Sequence, residues 1–299
     1  MSMSPSLDSE RYPALALGTA QFGLDYGVTN RSGRLSCETI SKLLRDGAER
    51  GWRWLDTAGS YGNAEKILGS MPEAASYHIC TKLGANDHGH VDDLRSELDD
   101  SLSRLRRAPD IVLLHRSSWL SGRQSDDVRA WVAEEKLAGR MGAFGISIYD
   151  VSEMQGTLEG VDWVQLPLSV LSQDWLLSGR IDALRAAGIK VQIRSVLAQG
   201  LLAVRPDQLP DSFGKLRETL HRLHECAQVI DVSPVVLALS FAAQTSVDMI
   251  VVGAENAVQF EEICTGLNTK IQVDWPMLAH DDVNDLDPRR WAPRMRIGG

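Results

Sequence analysis

An acid and a phenol stand five residues apart in Leu55-Asp56-Thr57-Ala58-Gly59-Ser60-Tyr61-Gly62-Asn63-Ala64-Glu65, directly after the strand-like run Trp52, Arg53, Trp54, Leu55. An amine, Lys82, ends the run Tyr77-His78-Ile79-Cys80-Thr81-Lys82, and an imidazole, His115, ends Asp110-Ile111-Val112-Leu113-Leu114-His115. In a parallel barrel the C-terminal strand ends converge on one mouth, so residues far apart in sequence meet there. Asp56, Tyr61, Lys82 and His115 are therefore expected to form one acid–base site. A tyrosine hydroxyl, with an ordinary pKa of about 10, releases its proton poorly unless the phenolate is stabilised. Lys82 would lower that pKa, Asp56 would keep Lys82 charged and oriented, and His115 would polarise a substrate oxygen. Taken singly, each has an ordinary reading as a loop cap, rim aromatic, solvated charge or satisfied polar group. Their joint occurrence at strand ends favours a shared site. Trp52 and Trp54 read as packing residues, and Glu65 as an acid supporting a helix start.

Positioning these groups requires strands that alternate with helices. Strand-like runs occupy residues 14–18, 52–56, 77–82, 111–115, 142–147, 163–166, 190–195 and 249–253. Between them lie helical patterns, the cleanest being Val91, Leu94, Leu98, Leu102 and Leu105 at i, i+3/i+4 spacing. Another starts at Ser36 and carries Ile40, Leu43 and Leu44; Trp131, Ile181, Leu184 and the run 235–241 belong to others. Gly51, Gly139 and Gly188 stand where helices should stop. Eight such units predict an α/β fold of the (β/α)8 barrel type, an eight-stranded parallel TIM barrel with extra helices. An open doubly wound sheet is the rival, but G-x-G-x-x-G after a first strand is absent. Residues 201–231 break the alternation with a proline-bearing loop and a helical run at 213–229, an insertion of the kind that shapes a ligand site. The chain reads as a single domain over 1–299, with a polar segment at 1–12. The tail at 271–299 is irregular; it is expected to coat the outside of the barrel, the alternative being that it folds across the mouth and, with loops 22–30 and 116–123, lines the pocket.

Composition narrows the function. The 299 residues suit one α/β barrel of about 250. A net charge of −9 without a basic block argues against nucleic acid, and no apolar run nears the roughly 18 residues of a membrane span. The polar N-terminal segment lacks a hydrophobic signal region, and Cys37, Cys80, Cys226 and Cys264 show no C-x-x-C spacing. A cytoplasmic protein with reduced, mostly buried thiols and no metal site is expected. Oligomeric state leaves no mark in the sequence.

With these residues in view, the chain resembles the aldo-keto reductase superfamily over about residues 15–267. The pattern Asp-x-Ala-x-x-Tyr-Gly-x-Ala-Glu stands at Asp56, Ala58, Tyr61, Gly62, Ala64 and Glu65. Thr81-Lys82, Leu114-His115 and the opening Leu17-Gly18-Thr19-Ala20-Gln21-Phe22-Gly23 fall at the family's intervals. The resemblance implies an NAD(P)H-dependent oxidoreductase reducing an aldehyde or ketone to an alcohol. Tyr61 would donate the proton, assisted by Lys82, Asp56 and His115. The hydride must come from nicotinamide, because no side chain donates one.

The resemblance also implies a cofactor path. Gly18, Thr19 and Ala20 match the family's first barrel loop. A Ser-Asn pair after the fifth strand and a Gln after the sixth hold the nicotinamide carboxamide; Ser147 and Gln165 match, but Ile148 replaces the Asn. After the seventh strand an aromatic usually stacks on the nicotinamide, followed by Ser-Pro-Leu. Here Arg194 takes the aromatic's place, to stack on the ring (the slightly favoured role) or to face an anionic substrate. Ser195, Val196, Leu197, Gln199, Gly200 and Leu201 would then wrap the pyrophosphate with backbone N–H groups. Beyond the eighth strand, Gly253, Ala254, Glu255, Asn256, Gln259 and Glu262 would meet the adenosine half. No Lys or Arg stands there to take a 2′-phosphate. NADPH remains the expected cofactor, narrowly, with NADH possible.

The substrate is expected to be a small carbonyl compound. Phe22, Asp25, Tyr26, Arg116 and Trp119 are candidate pocket-lining residues. The opening motif and the Arg-Ser-Val variant are similar to a branch loosely associated with sugar or polysaccharide metabolism. Two other classes stay open: a Schiff-base barrel aldolase using Lys82 as nucleophile, and a cofactor-binding regulatory protein with little turnover.

Overall fold

The computed structural model describes residues 13–27, 30, 33–85, 89–154, 158–282, 284–287 and 291. The polar segment 1–12 and tail positions 292–299 lie outside the described residues. In chain order the regular elements are β1 (Ala14–Gly18), α1 (Ala20–Gly23), α2 (Cys37–Glu49), β2 (Trp54–Asp56), α3 (Ala64–Ser70), β3 (His78–Leu83), α4 (Val91–Leu105), β4 (Ile111–Leu114), α5 (Ser125–Leu137), β5 (Ala143–Ser147), β6 (Trp163–Pro167), α6 (Asp174–Leu177), α7 (Arg180–Ala186), β7 (Lys190–Arg194), α8 (Gly214–Val229), α9 (Pro234–Ala243), β8 (Met249–Val252) and α10 (Ala257–Asn268). The strands close in sequence order, β1 to β8 and back to β1, all parallel. This is the (β/α)8 barrel that the alternating pattern predicts.

Side chains alternate across each strand, so one residue in two faces the interior. Ala16, Cys80, Ile111, Leu113, Trp163, Met249 and Val251, with Ala14, Trp54 and Ala143 packed against them, fill the barrel. The next inward positions toward the C-terminal ends are Gly18, Asp56, Lys82, His115, Ser147, Gln165, Arg194 and Gly253. The apolar plug therefore gives way to a polar layer at the mouth. A second, larger core separates barrel from helices.

Each helix docks through an apolar stripe. Ser36 caps α2 by accepting from Thr39 N at 3.1 Å, and Ile40, Leu43 and Leu44 are buried. Leu94, Leu98 and Leu105 of α4 are buried as the heptad-like spacing requires. Each such leucine is worth about 1.5–3 kcal/mol of burial, against roughly 1 kcal/mol for a cap, so packing decides where these helices sit. Gly51, Gly139 and Gly188 follow α2, α5 and α7 with φ of 84°, 69° and 79°, the left-handed stop expected of them.

Three features differ from the sequence expectation. Strand β2 begins at Trp54, because the Trp52 N–H closes the end of α2 on Gly47 O at 2.9 Å and its indole packs on Phe260. Between β5 and β6 the described residues contain only a 3-10 turn, Val151–Glu153, where a helix would complete the repeat. Of the four cysteines only Cys80 and Cys264 are buried; Cys37 is exposed. The insertion after β7 carries short 3-10 turns before α8, as its prolines suggest. Helix α9 is apolar on nearly all sides because it is buried nearly all round. Among the described residues no single helix is long and apolar enough to cross a membrane.

Candidate active site

The four acid–base residues meet at the C-terminal mouth of the barrel. Lys82 and Asp56 face each other from β3 and β2 with Nζ and Oδ1 2.5 Å apart, 1% and 6% exposed. Lys82 also donates to Thr57 O at 2.9 Å. Its ammonium lies 5.2 Å from the Tyr61 ring centroid. The rings of Tyr61 and His115 meet edge-on at 6.4 Å. His115 follows β4 and is anchored by its N–H to Leu83 O at 2.8 Å, while its Nε2 lies 3.2 Å from Ser60 Oγ. Tyr61 hangs from the short loop between β2 and α3.

Electrostatics assign the protons. Burial works against the Lys82 cation, but the Asp56 carboxylate, with Tyr61 and Cys80, overrides it, so the amine's pKa lies above its usual value. Burial raises the Tyr61 phenol, and Lys82 pulls it back only in part. This corrects the expectation of a depressed phenol pKa: in this enclosed site desolvation outweighs the neighbouring cation, and Tyr61 stays a protonated donor. Burial, then Lys82, Arg194 and Arg116, push His115 down to about 3. Its imidazole is neutral at any ordinary pH.

A buried amide network backs the ion pair. Ser147 Oγ donates to Gln165 Oε1 at 3.0 Å. Gln165 Nε2 donates to Asp56 Oδ2 at 2.7 Å and to Gln192 Oε1 at 3.0 Å. Gln192 Nε2 in turn reaches Met249 Sδ at 3.1 Å, with Asp56 Oδ2 at 3.5 Å. Sequence reasoning missed Gln192; its signal is an amide at the inward parity of β7, two residues before Arg194. Glu65 also does more than serve a helix start. Buried at 1% exposure, it accepts from Thr81 Oγ1 at 2.6 Å, Ser101 Oγ at 3.2 Å and Arg104 Nε at 2.7 Å, tying α3 to β3 and α4.

These groups open into a cavity of about 510 Å³. Asp56, Tyr61, Lys82 and His115 line it, together with Gly18, Thr19, Ala20, Ser147, Gln165, Arg194, Ser195, Val196, Leu197, Gln199, Gly200, Gly253, Glu255, Gln259 and Glu262. Leu201, Ala254 and Asn256 do not. Leu201 and Ala254 are buried in the layer between barrel and helices, and Asn256 Oδ1 caps α10 by accepting from Gln259 N at 2.9 Å. Gln21, Val235 and Ile263 line the cavity without having been singled out. Of the candidate substrate-pocket residues only Tyr26 does so. Phe22 is buried, Asp25 is exposed, Arg116 donates to Ala85 O, and Trp119 is buried and donates to Gly84 O. No described residue of the tail reaches the cavity; Trp275 packs on Phe241, and His280 N binds Leu171 O.

The lining suits a dinucleotide. In the loop after β7, Ser195, Ala198, Gln199 and Gly200 have φ of 62°, 46°, 55° and 91°. The N–H groups of Ala198 and Gly200 bind Ser195 O and Leu197 O at 2.8 and 2.9 Å, so a pyrophosphate would be met by other N–H groups of this loop. Ser147 Oγ keeps acceptor capacity, and Gln165 Oε1 has a second lone pair, so both can meet an amide. At the other end Gln259 Oε1 accepts from Glu255 N at 2.8 Å and Glu262 Oε1 from Ser233 Oγ at 2.6 Å. Among the described residues no group of His, Cys, Asp and Glu could hold a metal ion.

Comparison with known proteins agrees with this architecture. No curated protein matches the chain. The crystal structure of PA4992 from Pseudomonas aeruginosa, assigned to the aldo-keto reductases, superposes with a TM-score of 0.61 at 22% identity, covering 88% of this chain and 93% of that one. At that identity the likeness concerns the fold. The sequence profile of the Aldo/keto reductase family matches residues 14–274, nearly the whole barrel and its site, and the chain belongs to that family.

Proposed function

We propose that the protein reduces an aldehyde or ketone to an alcohol, with Tyr61 as proton donor and NADPH, or NADH, as reductant. Family membership implies NAD(P)H-dependent carbonyl reduction in general. The observation that carries the finer reading is the buried Lys82–Asp56 pair beside Tyr61, with a neutral His115, in one cavity. Ser147, Gln165 and the Ser195–Gly200 loop would hold the cofactor. When bound, the nicotinamide supplies the hydride.

The chain's own residues handle the oxygen. Negative charge developing there is met by the Tyr61 hydroxyl, which gives up its proton beside the Lys82 ammonium. Asp56 keeps that ammonium charged and in place. His115, neutral, offers one ring N–H to the carbonyl oxygen, a donor that does not compete for the proton. A Schiff-base aldolase would need Lys82 unprotonated, and the Asp56 pair holds it charged.

The test is Tyr61→Phe. Turnover with NADPH across a carbonyl library is expected to vanish, with cofactor affinity by fluorescence titration nearly unchanged. Retained turnover refutes the role of Tyr61, and a borohydride-trapped adduct at Lys82 favours the aldolase. Parallel titration with NADPH and NADH sets the cofactor preference; with no cation between Glu255 and Glu262, NADH is expected to bind measurably as well.

A further inference from the structure

Carbonyl reduction by Tyr61, Lys82, Asp56 and His115 leaves Arg194 without a task. Arg194 occupies the mouth end of β7, one inward step beyond Gln192, and lines the same cavity as the four acid–base residues. Its guanidinium carbon lies 4.0 Å from the Tyr149 ring centroid. Nη2 donates to Ile148 O at 3.1 Å and Nη1 to Ser195 Oγ at 3.3 Å. One face is thus covered by an aromatic ring, and two of its five N–H groups are engaged with neutral acceptors.

Among the described residues no carboxylate pairs with it. Of the acids lining the cavity, Asp56 is committed to Lys82 and Glu262 accepts from Ser233, while Glu255 follows β8 ahead of α10. A half-buried cation without a counter-ion is poorly compensated until an anion arrives. Ring stacking and the two anchors hold the guanidinium in one place, so little order is lost when it binds. Tyr26, Tyr61 and His115 all sense its charge, consistent with its standing over the reacting end of the cavity.

We propose that Arg194 receives the anionic group of a carbonyl substrate, carboxylate or phosphate, and so selects charged aldehydes or ketones over neutral ones of similar size. This rests on the carbonyl-reductase reading and adds the substrate class. It also moves Arg194 from the nicotinamide, where the family's usual aromatic would stack, to the substrate.

The test uses the full chain at saturating cofactor. kcat/KM is measured for 4-carboxybenzaldehyde against its methyl ester, and for glyceraldehyde 3-phosphate against glyceraldehyde. The wild type is expected to favour the charged member of at least one pair by ~10-fold or more; the pair that responds identifies the anion. Arg194→Gln should erase the preference mainly through KM while leaving NADPH affinity within about twofold, and Arg194→Lys should restore part of it. The proposal is overturned if the wild type favours the charged member of neither pair, a result independent of whether a variant folds. It is overturned equally if Arg194→Gln keeps the preference, or weakens NADPH binding with the preference intact. Absence of turnover on every carbonyl would instead overturn the reductase reading itself.

Discussion

Gln165 on β6 donates a hydrogen bond across the barrel to Asp56 on β2, 2.7 Å from Nε2 to Oδ2. With Lys82 on Oδ1, both carboxylate oxygens of Asp56 have a strong partner. Gln165 is thus a positioning residue for the ion pair as well as a candidate partner for nicotinamide. A hydrogen bond to a buried charge is worth about 1.5–3 kcal/mol. Gln165→Leu is accordingly expected to lower kcat by about 10- to 100-fold. Loss confined to cofactor affinity, with kcat intact, would restrict Gln165 to cofactor binding.

The Lys82–Asp56 pair predicts an asymmetric stability pattern. Removing one partner of a buried ion pair leaves the other uncompensated, at a cost of about 3–5 kcal/mol. Lys82→Met should therefore be strongly destabilised in urea unfolding, and Asp56→Asn as well. The double variant should be more stable than Lys82→Met alone, because no orphaned charge remains. None of the three should turn over carbonyl substrates. A double variant no more stable than Lys82→Met would mean that the charges are not coupled.

The barrel was legible because its signals are local and repeated. Each β-strand brings an inward-facing residue close to the mouth, at or within a residue or two of its C-terminal end, so reading strand ends in sequence also located Asp56, Lys82, His115, Ser147 and Gln165. Gln192 was missed because an amide within an apolar strand looks the same whether it faces a helix or an interior network; only the closed barrel shows which. Glu65 does stand in the first turn of α3 as read, but its further role was hidden for a related reason. Its helix-start position is visible locally, whereas Arg104, its ionic partner, arrives from α4 through tertiary packing. The direction of the Tyr61 shift could not be anticipated either. Lys82 and desolvation act oppositely on the phenol, and their balance depends on enclosure, which a sequence does not encode locally.

The pH dependence follows from His115. In the fold it titrates near 3, and in the unfolded chain near 6.5. Between these values the unfolded chain carries a proton that the fold does not. Lowering pH from 6.5 toward 3 therefore favours unfolding by up to about 1.4 kcal/mol per unit from this group, while above 6.5 its contribution is constant. His115→Phe should lose stability less steeply across that window, measured by urea unfolding at stepped pH. Parallel losses would mean that His115 is charged in the fold. In the same terms, kcat/KM for reduction should be flat from about pH 5 to about pH 9, since His115 is already neutral and Tyr61 still protonated. A histidine-like inflection that vanishes in His115→Phe would contradict a neutral imidazole.

The placement of Tyr61 depends on two glycines. Gly23 ends α1 against the loop that carries Tyr61, where a β-carbon would lie 1.9 Å from Tyr61 O and 2.8 Å from Ala64 N. Gly62 has φ of 58°, and a β-carbon there would lie 2.5 Å from Gly23 O. Backbone meets backbone on both sides, so no side chain can give way. Gly23→Ala must displace the loop, at a cost of about 1–3 kcal/mol by analogy with overpacking. A shift of about 1 Å at a reacting group can lower turnover by about 100-fold. Gly69→Ala separates the two effects: its β-carbon would meet Arg104 O at 2.0 Å, equally tight but away from Tyr61. Both variants should melt several degrees lower, and only Gly23→Ala should lose kcat in the folded fraction. Equal retention of kcat would show that the loop tolerates displacement and that Tyr61 is not held by this contact.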